Sequence, residues 1–129
     1  MNESILVVED NIDLAECVCE YLTIKKFNVI GTAHNGLEAI ELYKKHEPDF
    51  VLMDILMPEY DGYYGIKHIK KINSYAKIVI LTGCDIKEVQ EKIKPLNLPI
   101  LVKDPHSLKQ IEKVLRNTNT VIKKNGILT

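Results

Sequence analysis

The sequence predicts a doubly wound α/β domain, in which helices cover both faces of a five-stranded parallel sheet. Two observations support this prediction. Five short apolar runs alternate along the chain with five segments whose apolar residues recur at three- or four-residue steps, and this alternation favours parallel strands joined by crossover helices. Four of the apolar runs are nearly continuous, which is typical of strands that are buried on both faces of a sheet.

The predicted strands are the apolar runs at residues 4–8, 27–33, 49–53, 77–81 and 99–102. Each is followed by an amphipathic helix with one apolar stripe. The stripes consist of Leu14, Val18, Tyr21 and Leu22; Leu37, Ile40 and Tyr43; Ile66, Ile69 and Ile72; Ile86, Val89 and Ile93; and Leu108, Ile111 and Leu115.

The sequence also marks helix boundaries. Asn35 with Glu38 resembles a capping box at the start of the second helix, and Asp104 before Pro105 is typical of the N-cap of the last helix. The apolar pattern ends near Arg116. Residues 1–117 therefore form the predicted domain, and residues 118–129 form a predicted C-terminal tail or the start of a linker.

Composition excludes several classes of function. A chain of 129 residues, with 46% hydrophobic and 27% charged residues, can form one globular domain without a disulfide or a structural metal. A formal net charge of −1 gives no electrostatic basis for direct binding of nucleic acid or of an anionic membrane. No apolar run approaches the roughly 18 residues of a membrane span, and the three cysteines lack metal-binding spacing. We therefore expect a cytoplasmic protein with reduced thiols and no membrane segment.

Polar side chains lie at the ends of four of the five predicted strands. Glu9 and Asp10 follow the first strand, Asp54 follows the third, Thr82 follows the fourth and Lys103 follows the fifth. Ligands of doubly wound sheets bind beyond the carboxyl ends of the strands. We therefore expect these side chains to face one crevice.

Three carboxylates in one crevice repel one another, since each close pair costs roughly 4 kcal/mol at about 4 Å and an effective dielectric of about 20. A cation would offset this repulsion, and a ligand set made of oxygens without His or Cys suits Mg²⁺. Lys103 and Thr82 could then contact an anion. With a cation and a lysine in place, a carboxylate can act as a nucleophile toward a phosphoryl group. Asp54 is the best candidate, because it ends the strand beside the switch point of the sheet.

The motifs at the strand ends resemble those of the receiver domains of two-component response regulators. They are LVVEDN at residues 6–11, DILMPEYDG at residues 54–62, LTG at residues 81–83, and Lys103. Any one of these motifs is a weak signal, but all four occur in order, and the resemblance spans residues 5–115. It implies a flavodoxin-like sheet with the strand order 2-1-3-4-5.

The resemblance also implies the chemistry. Asp54 would be the phosphoacceptor, which takes a phosphoryl group from a sensor histidine kinase or a histidine phosphotransfer protein. Mg²⁺ would be bound by Asp10, Asp54 and the backbone carbonyl of Leu56, with Glu9 acting directly or through water.

Thr82 and Lys103 would bind the phosphoryl oxygens, and movement of Thr82 would switch the face formed by the fourth helix, the fifth strand and the fifth helix. An effector domain or a downstream protein would bind that face, and a phosphorylation-dependent dimer is a further implied partner. In this role the chain is a signalling domain rather than an enzyme. At most it would phosphorylate itself from small phosphodonors and dephosphorylate itself slowly.

Two departures from the family pattern bear on this role. Ile100 occupies the switch position that carries Tyr or Phe in many receivers, so it has neither a ring nor a hydroxyl to couple to Thr82. Leu56 and Cys84 occupy the two positions that often tune self-dephosphorylation in the family, and neither side chain positions an attacking water well. We therefore expect a long-lived phosphorylated state.

Two other functions remain open at this point. A phosphorylation-independent interaction module of the same fold would suit the isoleucine at position 100. A Mg²⁺-dependent phosphohydrolase would need a general acid or base two positions after Asp54, where the chain has Leu56. A nucleotide-binding module is disfavoured, because neither standard glycine-rich phosphate loop occurs.

Overall fold

The structure, a computed structural model, describes the backbone of residues 3–104 and 107–128, and the side chains of these residues up to position 117. The strands are β1 Ser4–Val8, β2 Asn28–Ala33, β3 Phe50–Met53, β4 Ile78–Thr82 and β5 Ile100–Val102. The helices are α1 Ile12–Ile24, α2 Gly36–His46, α3 Gly62–Ile72, α4 Ile86–Ile93 and α5 Ser107–Leu128, with a 3-10 turn at Lys94–Leu96. All strand pairs are parallel and their order is β2-β1-β3-β4-β5. The predicted doubly wound, flavodoxin-like fold is confirmed.

The core has one layer on each face of the sheet, because alternate residues of a strand point to opposite faces. On one face, Leu6, Met53 and Ile80 lie in a cluster with side chains of α2, α3 and α4. On the other face, Val7 and Leu52 lie in a cluster with side chains of α1 and α5. Strands β1, β3 and β4 are thus covered on both sides, which explains their continuous apolar sequences.

Backbone hydrogen bonds hold the residues that follow the strands at one edge of the sheet. The Asp54 N–H donates to the Val8 carbonyl at 3.0 Å, and the Lys103 N–H donates to the Thr82 carbonyl at 2.9 Å. The Glu9 N–H is bound in the same way to the end of β2, at 2.9 Å. The backbone of each of these residues is therefore fixed by a neighbouring strand.

Some element bounds differ from the sequence predictions. Thr82 is the last residue of β4 rather than the residue after the strand, because its backbone still pairs with Val102 of β5. Ile72, predicted for the apolar stripe of α3, is exposed, because it lies at the end of the helix. Within residues 3–104 and 107–128, no helix combines the length and the apolarity that crossing a bilayer requires.

α5 runs from Ser107 to Leu128, although the apolar pattern ends near Arg116. A helix can extend past its packed part, because each residue added to an existing helix gains a backbone hydrogen bond. Pro105, predicted as the first helical position, lies outside the described residues. The N-cap role of Asp104 and the division between domain and tail at residue 117 stay predictions.

Candidate functional site

Three carboxylates meet at the carboxyl edge of β1 and β3. Glu9 and Asp54 are each only 3% exposed, whereas Asp10 is exposed to solvent. One carboxylate oxygen from each of the three residues lies within 4.8 Å of the others. The structure thus brings the three predicted acids together.

Lys103 reaches this carboxylate cluster from the end of β5. Its Nζ lies 2.8 Å from Glu9 Oε1 and 3.1 Å from Asp54 Oδ2. Backbone groups bind the other oxygens: the Ile55 N–H donates to Asp54 Oδ1 at 2.8 Å, and the Asn11 N–H donates to Glu9 Oε2 at 3.1 Å. Apart from its ion pair with Lys103, the buried Glu9 Oε1 has no hydrogen-bond partner among the described residues.

Burial dominates the electrostatics of the cluster. Desolvation raises the pKa of Glu9 and the pKa of Asp54 above their ordinary values, although contacts with Lys103 and with backbone N–H groups oppose the rise. Burial alone would lower the pKa of Lys103, but its contacts with the two carboxylates outweigh burial and raise it. Lys103 is therefore charged at neutral pH. Burial disfavours the charged forms of Glu9 and Asp54 at the same place.

The donor set fits a small divalent cation. Three carboxylates and one ammonium leave two formal negative charges in the cluster. All the candidate ligands are oxygens, and the buried Glu9 Oε1 has acceptor capacity to spare. Because Mg²⁺ prefers one or two carboxylates together with water, Asp10 and Asp54, with Glu9 beside them, could hold it.

Thr82 ends β4 and pairs with Val102 of β5, the residue before Lys103. Its side chain is fully buried, and its hydroxyl oxygen accepts the Cys84 N–H at 2.9 Å. A hydroxyl that accepts this bond can still donate its own proton. Ile100 pairs with Ile80 across β4 and β5 and is half-buried against the α4 side of the core. The switch roles of Thr82 and Ile100 stay predictions.

The loop between β3 and α3 is held close to Asp54 at Gly62. The Gly62 N–H donates to the Ile55 carbonyl at 2.8 Å. A Cβ at Gly62 would overlap the Asp54 carbonyl oxygen and lie 2.8 Å from Ile55 Cα. Asp61 caps α3 by accepting a backbone N–H of its first turn at 3.0 Å. Leu56 is 67% exposed, and the use of its carbonyl as a metal ligand stays a prediction.

His34 has no role in the sequence prediction, yet its ring lies against the site. His34 Nδ1 is 3.1 Å from the Glu9 carbonyl oxygen, because β2, which precedes His34, is the neighbour of β1. The position of His34 in the sequence could have indicated this contact, because His34 directly follows a predicted strand, as Glu9 and Asp54 do.

Comparisons with known proteins show the family and the fold of this chain. A family model described as the response regulator receiver domain matches residues 5–116. The chain is 41% identical to the chemotaxis protein CheY of Bacillus subtilis over 83 residues, which cover 64% of this chain and 69% of that protein. It is 31% identical to the CheY of Treponema pallidum over 121 residues, which cover 92% of this chain and 82% of that protein. Its fold is similar to that of a chain in the crystal structure of the CheX-CheY-BeF3-Mg²⁺ complex from Borrelia burgdorferi, with a TM-score of 0.81 and 24% identity over 90% of this chain and 89% of that chain.

Proposed function

The chain belongs to the response regulator receiver domain family, and from this premise we propose that Asp54 accepts a phosphoryl group. The donor is a phosphohistidine on a sensor histidine kinase or on a histidine phosphotransfer protein. The observation that best supports the proposal is that Lys103 contacts Glu9 and Asp54 at once. This contact sets a positive charge where an incoming phosphoryl group would meet the acceptor.

In the proposed reaction a carboxylate oxygen of Asp54 attacks the phosphorus. A P–O bond forms as the P–N bond to histidine breaks, and the imidazole nitrogen keeps the electron pair of that bond. Lys103 binds the phosphoryl oxygens through its ammonium group. Asp10, Asp54 and the Leu56 carbonyl, with Glu9 directly or through water, would hold Mg²⁺, which would neutralise negative charge at the site.

Incubation with phosphoramidate followed by intact mass spectrometry tests this proposal. We expect a mass gain of one phosphoryl group when Mg²⁺ is present, and no gain when EDTA removes it. Failure to gain mass in either condition would favour the phosphorylation-independent interaction module. Steady release of phosphate from added phosphate esters would instead favour a phosphohydrolase.

Mg²⁺ binding should weaken as the pH falls. The loss should begin at a higher pH than for a site made of exposed carboxylates. Burial raises the pKa of Glu9 and of Asp54, and Mg²⁺ binds their deprotonated forms. Affinity is therefore present above the raised pKa values and lost as the pH falls through them. Calorimetric titrations with Mg²⁺ over the mildly acidic range measure this effect. An affinity that stays constant down to about pH 4, the ordinary range of carboxyl groups, would contradict it.

Self-dephosphorylation should be slow, and Leu56→Asn should accelerate it several-fold. Leu56 is exposed beside the acceptor, so a polar side chain there can orient an attacking water, whereas leucine cannot. Release of inorganic phosphate after removal of the phosphodonor gives the lifetime. Leu56→Ala, which adds no polar group, is the matched control. A longer lifetime in Leu56→Asn would contradict the prediction.

Phosphorylation would add about −1.5 to −2 charges at Asp54 and shift an equilibrium between inactive and active forms. We propose that Thr82 and Ile100 transmit this shift to the face formed by α4, β5 and α5. An effector domain, a downstream protein or a second phosphorylated copy would bind there. We also propose a cytoplasmic location, with which the three free cysteine thiols agree.

A further inference from the structure

A groove separate from the carboxylate cluster lies between α3, α4 and the 3-10 turn that follows α4. Its volume is about 690 Å³. The floor is apolar, since Ile66 and Ile93 are buried there, and Leu96 at its edge is 38% exposed. Tyr63, at the start of α3, also lines it. We call this feature the α3–α4 groove.

Four lysines, Lys67, Lys70, Lys71 and Lys92, line the same groove. None of the described residues that line it is acidic. Because the whole chain carries a formal net charge of −1, the α3–α4 groove is a local concentration of positive charge around an apolar floor.

The four lysines are not equally available to a ligand. Lys70 Nζ donates to two backbone carbonyls in the turn after α3, at 2.8 and 3.2 Å. Lys92 Nζ lies 4.9 Å from the centre of the Tyr63 ring, in a cation–π contact. Lys67 and Lys71 are exposed, and none of the ion pairs among the described residues involves them.

We propose that the α3–α4 groove binds an acidic amphipathic helix of a partner protein. Apolar side chains of that helix insert between α3 and α4, and its acidic side chains face Lys67 and Lys71. The charges are complementary, and the apolar floor favours an apolar anchor over a small ion. Ile66 and Ile93 line a groove with a volume of about 690 Å³, so it suits inserted side chains better than a flat bilayer surface.

Fluorescence anisotropy with a labelled synthetic peptide tests the proposal. The probe is a helical peptide of about 15 residues, roughly four turns, with leucines on one stripe and glutamates beside them. We expect saturable binding that the double variant Lys67→Gln/Lys71→Gln weakens roughly fivefold, as expected for the loss of two exposed charge contacts. Changes in backbone amide NMR shifts should map the peptide to α3 and α4.

The matched control is Lys44→Gln/Lys45→Gln, which removes the same charge from exposed positions on α2. It should change the affinity by less than about twofold. Peptides with lysine in place of glutamate, or with serine in place of leucine, should not bind. The proposal would be overturned by equal losses of peptide affinity in the two double variants, by binding of the lysine peptide, or by the absence of saturable binding.

Two further measurements separate the partner helix from other occupants. Binding of the protein to vesicles of phosphatidylcholine and phosphatidylserine should be the same as binding of the variant Lys67→Gln/Lys71→Gln. In sedimentation velocity, the protein and the variant Lys67→Gln/Lys71→Gln should show the same degree of self-association. Vesicle binding or self-association that depends on these two lysines would assign the groove to a membrane or to a second copy, and would overturn the proposal.

Discussion

Asp54→Asn is expected to abolish phosphoryl uptake from phosphoramidate and Mg²⁺ while leaving the fold intact. The amide oxygen of asparagine is a far weaker nucleophile than a carboxylate, so no P–O bond should form. Burial raises the pKa of Asp54, so its charged form is disfavoured in the protein without metal. A neutral side chain should therefore keep or raise the midpoint of thermal unfolding. Intact mass and thermal unfolding should be measured on the same preparation.

Asp49→Asn is the matched control, because Asp49 precedes β3 at the end opposite to Asp54. Its Oδ2 accepts the Ser4 N–H at 2.8 Å, and asparagine retains an oxygen that can accept this bond. Uptake of one phosphoryl group should therefore persist. Uptake retained in Asp54→Asn, or lost in Asp49→Asn with an unchanged fold, would contradict the assignment of the acceptor.

Gly62→Ala is expected to lower the free energy of unfolding by about 2–3 kcal/mol, as overpacking of a tight site does. The added Cβ would overlap the Asp54 carbonyl oxygen and crowd Ile55 Cα at 2.8 Å, so backbone must shift. Helix propensity alone would predict the opposite sign, because alanine is favoured over glycine by about 1 kcal/mol within helices. Urea denaturation gives the free energy of unfolding, and the displaced loop should also slow phosphoryl uptake.

Gly83→Ala provides the comparison, since Gly83 also lies next to a site residue, Thr82. A Cβ at Gly83 meets no atom within 4 Å. Its effect on the free energy of unfolding should stay within about 0.5 kcal/mol. Equal effects of the two alanine substitutions would show that close packing at Gly62 does not stabilise the loop after Asp54.

The sheet and its functional edge could be predicted from the sequence because burial on both faces leaves continuous apolar runs. The polar residue that follows such a run, as Asp54 follows β3, marks the edge where a ligand can bind. The strand order required the family resemblance, since apolar runs do not specify which strands are neighbours. Asp10 and Lys103 could be predicted to lie at the same edge, because each also comes after a predicted strand.

Side-chain detail at the site could not be predicted in this way. Glu9 is buried and Asp10 is exposed, and this difference depends on how the chain turns after β1. The simultaneous contacts of Lys103 with Glu9 and Asp54 depend on the reach of a flexible side chain. The contact of His34 with Glu9 depends on strand neighbours. These features arise from tertiary packing, which local patterns do not encode.

Borohydride reduction identifies the phosphorylated residue, because it converts an acyl phosphate into an alcohol. The protein would be phosphorylated with phosphoramidate and Mg²⁺, reduced, digested and sequenced by tandem mass spectrometry. We predict that reduction occurs at Asp54 and that omission of Mg²⁺ prevents it. Reduction at Glu9 or Asp10, or a phosphoryl group found on a histidine, would contradict a phosphoacceptor site built around Asp54 and Lys103.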